Sequence, residues 1–207
     1  MPAVVSCRST RPAIMEAFLV STGVIAAGEI GDKTQLLALL LAARFRRPVP
    51  IVLGILVATL ANHLLAGAVG TWITQLIGPH LMRWLVGLSF IGMAVWVMIP
   101  DKVDEDEAAI ATTRFGAFGA TVIAFFLAEM GDKTQIATVA LAARFQDLFQ
   151  VVAGTTLGMM IADVPAVFLG DRAAKKIPMK LVHGIAAFMF AVLGVLALLN
   201  VGNVFGG

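Results

Sequence analysis

The heptapeptide Glu29-Ile30-Gly31-Asp32-Lys33-Thr34-Gln35 stands inside an apolar stretch and returns 100 positions later as Glu129-Met130-Gly131-Asp132-Lys133-Thr134-Gln135. Each copy carries two carboxylates and one ammonium, so two copies brought together sum to minus two. One divalent cation neutralises that deficit. The candidate ligands are all oxygens: the carboxylates of Glu29, Asp32, Glu129 and Asp132, the amides of Gln35 and Gln135, and the hydroxyls of Thr34 and Thr134. Such hard ligands suit Ca²⁺, Mn²⁺ or Mg²⁺, whereas Zn²⁺ or Cu⁺ calls for His or Cys. The single Cys7 and the three histidines lie away from both motifs in sequence. Mn²⁺ or Ca²⁺ fits best, as cargo and not as a resident cofactor. With the cation gone, the clustered carboxylates would take up protons, and a site that holds either metal or protons is an exchanger in outline.

On an unbroken helix Asp32 and Lys33 would lie about 60° and 40° to either side of Glu29. Gln35 would lie one step beyond Asp32, and Thr34 would point elsewhere unless the helix unwinds near Gly31. Glu29 and Lys33 are spaced for an intrahelical ion pair. Lys33 and Lys133 are expected to pair with the acids and orient them.

The elements that must carry these motifs are membrane helices. Of 207 residues, 59% are hydrophobic and 14% charged, and mean hydropathy is positive. A soluble domain of this size could not hide so much apolar surface. The expected fold is therefore an all-α integral membrane protein embedded in a lipid bilayer. The basic residues sit singly or in short clusters at the ends of apolar runs, so they mark membrane topology and not nucleic-acid binding. One cysteine excludes an intrachain disulfide framework.

Six segments are long enough for a core of about 30 Å: 14–43, 49–71, 81–99, 115–143, 149–170 and 179–200. The first and fourth exceed what a perpendicular helix needs, so tilt or a break at Gly31 and Gly131 is expected. The division is a leader 1–13, a three-helix repeat 14–99, an acidic loop 100–114 with Asp104-Glu105-Asp106-Glu107, a second repeat 115–200 and a tail 201–207. Aligned at an offset of 100, residues 26–70 and 126–170 share 15 of 45 identities. Three spans per half make the second copy enter the membrane upside down, an inverted repeat with its site at the repeat interface.

Apart from the motif lysines, the loops after spans one, three and five hold nine basic residues against four on the other side. This places both termini outside. The leader shows no small-residue cleavage site, so span one is read as retained.

Twin E-x-G-D-K-T motifs in a duplicated six-span chain resemble the cation/proton antiporter family that includes Golgi manganese/calcium transporters and bacterial manganese exporters. The resemblance runs from about Glu16 to Asn200. It implies exchange of Mn²⁺ and/or Ca²⁺ for protons, with Glu29, Asp32, Glu129 and Asp132 as metal-binding acids. Eukaryotic members often carry a targeting leader and a longer central loop. This chain has neither, which points to a bacterial-type plasma (inner) membrane; a homodimer stays open.

Asn62 and His63 align with Ala162 and Asp163. An intramembrane Asp is functional by default, so Asp163 is a candidate for a secondary metal or proton pathway, against a structural hydrogen bond near Pro165. Asn62 is a weaker candidate and His63 weaker still. The three Trp residues read as interfacial anchors or packing, and Gly154-x-x-x-Gly158 as close helix packing. No enzyme is expected. Gly31-Asp32-Lys33-Thr34 lacks the Gly before Lys and the longer spacing of a phosphate-binding loop. The G-x-G-D pattern of intramembrane aspartyl proteases is absent as well. An exporter of small organic cations such as basic amino acids, or a passive cation channel, remain the alternatives.

Overall fold

The two motifs break the helices they stand in. The computed structural model describes residues 11–99, 115–169 and 179–201. The expected acidic loop 100–114 lies outside them, as do most of the leader 1–13 and of the tail 201–207. Among the described residues the fold is all-helical, with eight helices. In chain order they are α1 (Arg11–Glu29), α2 (Lys33–Phe45), α3 (Pro48–Leu76), α4 (Pro79–Trp96), α5 (Gly116–Glu129), α6 (Lys133–Phe145), α7 (Leu148–Leu169) and α8 (Met179–Leu198).

The expected spans 14–43 and 115–143 are thus each two helices. Gly31 at φ 90° and Gly131 at φ 77° take the left-handed backbone that turns the chain at each break. α2 and α6 are 13 residues each, about 20 Å long at 1.5 Å per residue and so too short to span alone. They end alike. Arg46 and Gln146 adopt left-handed conformations at φ 51° and 54°, and their N–H groups donate to the Ala42 and Ala142 carbonyls.

Elsewhere the boundaries shift rather than the elements. α3 runs 29 residues, to Leu76 and not to residue 71. Its polar end is tolerated because Thr71 and Thr74 donate to the Ala68 and Thr71 carbonyls of the same helix, at 2.9 and 2.6 Å. Among the described residues three helices, Pro48–Leu76, Leu148–Phe168 and Lys180–Leu198, are long and apolar enough to cross a membrane unaided, and Gly116–Glu129 is apolar but shorter. Their outward faces present large apolar side chains, among them Leu60, Leu64, Leu65, Phe168 and Phe188, as a surface in contact with hydrocarbon should.

The two halves interlock. α1 packs on α7 of the other half, and α5 packs on α3, while α3 and α7 pack on one another. Small residues permit these approaches, as membrane helices require in the absence of a hydrophobic drive between them. A Cβ on Gly154 would fall 2.5 Å from the Phe18 carbonyl oxygen and 3.0 Å from Ser21 Cβ. At the equivalent Gly54 it would fall 2.7 Å from Thr121 Cβ and 3.0 Å from the Phe118 carbonyl oxygen. Phe18 and Phe118, like Ser21 and Thr121, are themselves equivalent at the offset of 100. α4 packs on α8, where Phe90 meets Phe190 at 6.2 Å between ring centroids. Gly154→Ala is therefore expected to destabilise the protein by about 1–3 kcal/mol through overpacking against backbone, measured by unfolding in mixed detergent.

Candidate metal centre

Each helix break delivers its motif side chains to the interior in the same way. Glu29 is the last residue of α1 and Glu129 the last of α5, and both are fully buried. Asp32 and Asp132 follow the turn as N-caps of α2 and α6, with extended backbones of φ −81°, ψ 173° and φ −79°, ψ 169°. The Asp32 and Asp132 N–H groups close the turns onto the Glu29 and Glu129 carbonyls at 3.0 and 3.2 Å.

Because the helix unwinds, Thr34 and Thr134 do face the acids. Thr34 Oγ1 donates to Glu29 Oε2 at 2.7 Å, and Thr134 Oγ1 donates to Glu129 Oε2 at 2.8 Å. Gln35 and Gln135 lock the turns by accepting the Gly31 and Gly131 N–H groups on Oε1, at 3.1 and 2.7 Å. The continuous helix that a single polar face and an intrahelical Glu29–Lys33 pair require is not formed. Glu29 ends one helix and Lys33 begins the next, so the four-residue spacing loses its meaning.

The two motifs then meet. Glu29, Glu129 and Asp132 each place a carboxylate oxygen so that all three atoms lie within 4.8 Å of one another. All three side chains are buried. Oxygens bound to one Ca²⁺ at 2.3–2.6 Å can be up to about 5 Å apart, so one cation can bridge this triad. Glu29 Oε1, Glu129 Oε1 and Asp132 Oδ2 have no hydrogen-bond partner among the described residues.

Asp32 is engaged differently. Its Oδ1 accepts a bond from Lys133 Nζ at 3.1 Å, with both side chains buried. A lysine of the second motif thus holds an acid of the first, across the interface. Lys33 opens α2 and is half-buried.

The copies differ in their second contacts too. Gln35 Nε2 donates to the Ala162 carbonyl of α7 at 2.9 Å. Gln135 instead lines a cavity of about 240 Å³ with Leu65, Ala66 and Val69 of α3. Asn62 Nδ2 donates to the Phe126 carbonyl at 3.0 Å, tying α3 to α5 one turn before Glu129. Asp163 is fully buried on α7, two residues before the helix-interior Pro165. His63, its equivalent on α3, is also fully buried.

The cross-motif pair and the Gln35 clamp on α7 could not be read from the sequence. The turn toward Glu was foreshadowed only by the conditional placing of Thr34.

An all-helical membrane protein that gathers carboxylates in its interior is built for moving cations, and comparison with known proteins agrees. The chain belongs to the family described as divalent cation/proton antiporter GDT1, whose sequence model matches it in two segments, residues 17–105 and 117–203. Among its relatives is a Vibrio cholerae protein named "Putative manganese exporter", 48% identical over 178 residues, which cover 86% of this chain and 88% of that one. A GDT1-like protein of Synechocystis is 33% identical, covering 86% of this chain and 96% of the relative. GDT1-like protein 3 of rice is 30% identical over 86% of this chain and 72% of its own. No solved structure matches the chain significantly. The protein is a membrane transporter of cations and not an enzyme.

Proposed function

We propose that the chain is a secondary active transporter that exchanges Mn²⁺ and/or Ca²⁺ for protons at one site shared by its two motifs. The observation that carries this reading is the buried triad of Glu29, Glu129 and Asp132, one cation's width across and drawn from both motifs. A triad of carboxylates in a poorly solvated interior is unfavourable unless a cation or protons neutralise it. Two mutually exclusive neutralising species are what an exchanger requires.

Two inverted three-span repeats, 14–99 and 115–200, with the first span of each broken into two helices, give this site its setting. In support, α1 packs on α7 as α5 packs on α3, and equivalent Phe90 and Phe190 touch. The inequivalence of the copies, with Lys133 on Asp32 and Gln35 on α7, suits a carrier caught on one side of its cycle. Asp32 is then the acid that Lys133 holds in reserve. The name of the Vibrio cholerae relative favours manganese as cargo. The proposed setting is a bacterial-type plasma membrane with both termini outside.

Uptake into proteoliposomes separates the readings, with Mn²⁺, Ca²⁺ and lysine offered side by side under imposed pH gradients. Uptake of Mn²⁺ or Ca²⁺ that follows the pH gradient is expected. Lysine uptake in place of metal would make the protein an organic-cation exporter. Metal flux indifferent to the gradient would make it a channel.

A further inference from the structure

We propose that Asp163 is a further ligand to the transported cation, completing with Glu29, Glu129 and Asp132 a set of four carboxylates while Lys133 holds Asp32. This deepens the reading of the motifs as a cation site and rests on it.

Asp163 belongs to neither motif, and it departs from the repeat: the equivalent position is His63. It is 0% exposed, and neither carboxylate oxygen has a hydrogen-bond partner among the described residues. A structural role near Pro165 would show such a bond; none is made there. A carboxylate at depth in a membrane costs on the order of 3 kcal/mol without compensation.

Its surroundings say what supplies that compensation. Asp163 is not one of the three acids whose oxygens lie within 4.8 Å of one another, but it stands within electrostatic reach of Glu29 and Glu129. Like charges so placed repel, so the arrangement calls for a cation, or for protons in its absence. The backbone beside Asp163 is also held to the site, because Gln35 of the first motif bonds the carbonyl of Ala162. Four carboxylates in place of three raise the oxygen count toward the six to eight that Ca²⁺ takes, or the hard oxygen set that Mn²⁺ accepts.

The test uses the full chain in detergent, with Mn²⁺ as the probe and D163N beside E129Q. Free Mn²⁺ is counted by electron paramagnetic resonance, and metal-free unfolding is measured in parallel. D163N is expected to bind Mn²⁺ at least about tenfold more weakly while its metal-free form unfolds no more easily than wild type, since a mutually repelling group has been neutralised. Unchanged Mn²⁺ affinity in D163N would overturn the proposal. So would a metal-free form less stable than wild type, because it marks a structural role. E129Q separates this from the underlying reading: if E129Q binds Mn²⁺ as wild type does, the motif site itself is misplaced.

Discussion

Glu129→Gln is expected to abolish Mn²⁺ transport in proteoliposomes while the protein still inserts and folds. Gln is nearly isosteric with Glu, and its side-chain oxygen can still accept the Thr134 hydroxyl that Glu129 Oε2 accepts at 2.8 Å. What it loses is one negative charge out of a triad packed within 4.8 Å. Even groups that merely orient a metal ligand contribute about 10–100-fold to affinity, so losing a charged ligand should lower affinity by about 100-fold or more. The neutral amide also removes one place where a proton could replace the metal. Both halves of the exchange fail together. Glu29→Gln should behave alike, because Thr34 supports Glu29 at 2.7 Å in the same way.

The second large effect separates two acids that the sequence presents as twins. Asp32→Asn removes the carboxylate that holds buried Lys133 at 3.1 Å. Breaking a buried ion pair by deleting one partner costs about 3–5 kcal/mol, so this variant should unfold far more easily in mixed detergent. Asp132→Asn takes a charge from the triad instead. It should lose transport without a comparable loss of stability, since neutralising one of several like charges relieves repulsion. The double variant Asp32→Asn/Lys133→Met should recover most of the lost stability, because it removes both charges at once. Equal destabilisation by Asp32→Asn and Asp132→Asn would show that the cross-motif pair carries no special weight.

That contrast marks where reading the sequence stops. Glu29-Ile30-Gly31-Asp32-Lys33-Thr34-Gln35 and its copy differ at one position, so no local rule could make one Asp a lysine's partner and the other a member of the triad. The difference comes from how α2 and α6 meet the rest of the fold. Gln35 finds the Ala162 carbonyl, while Gln135 faces a cavity beside α3. Such long-range contacts break a repeat that is nearly perfect along the chain.

What was local was legible. Gly31 and Gly131 announced the helix breaks, and their positive φ values are the reason glycine stands there. The duplication was visible at an offset of 100, and the exchanged packing of α1 on α7 and α5 on α3 follows it in space. The helical i, i+4 geometry for Glu29 and Lys33 does not apply, for an equally local reason. It assumed a continuous helix across residues that form a turn. Thr34 shows the converse: five residues from Glu29, it meets that acid only because the chain unwinds between them.

The central claim is that metal and protons occupy the same carboxylates in turn. The most direct measurement adds Mn²⁺ to the purified protein in weakly buffered detergent solution and follows released protons with a pH indicator. Wild type is expected to release protons in proportion to bound Mn²⁺, with the release lost in Glu129→Gln. Mn²⁺ binding at full stoichiometry with no proton release would contradict the account.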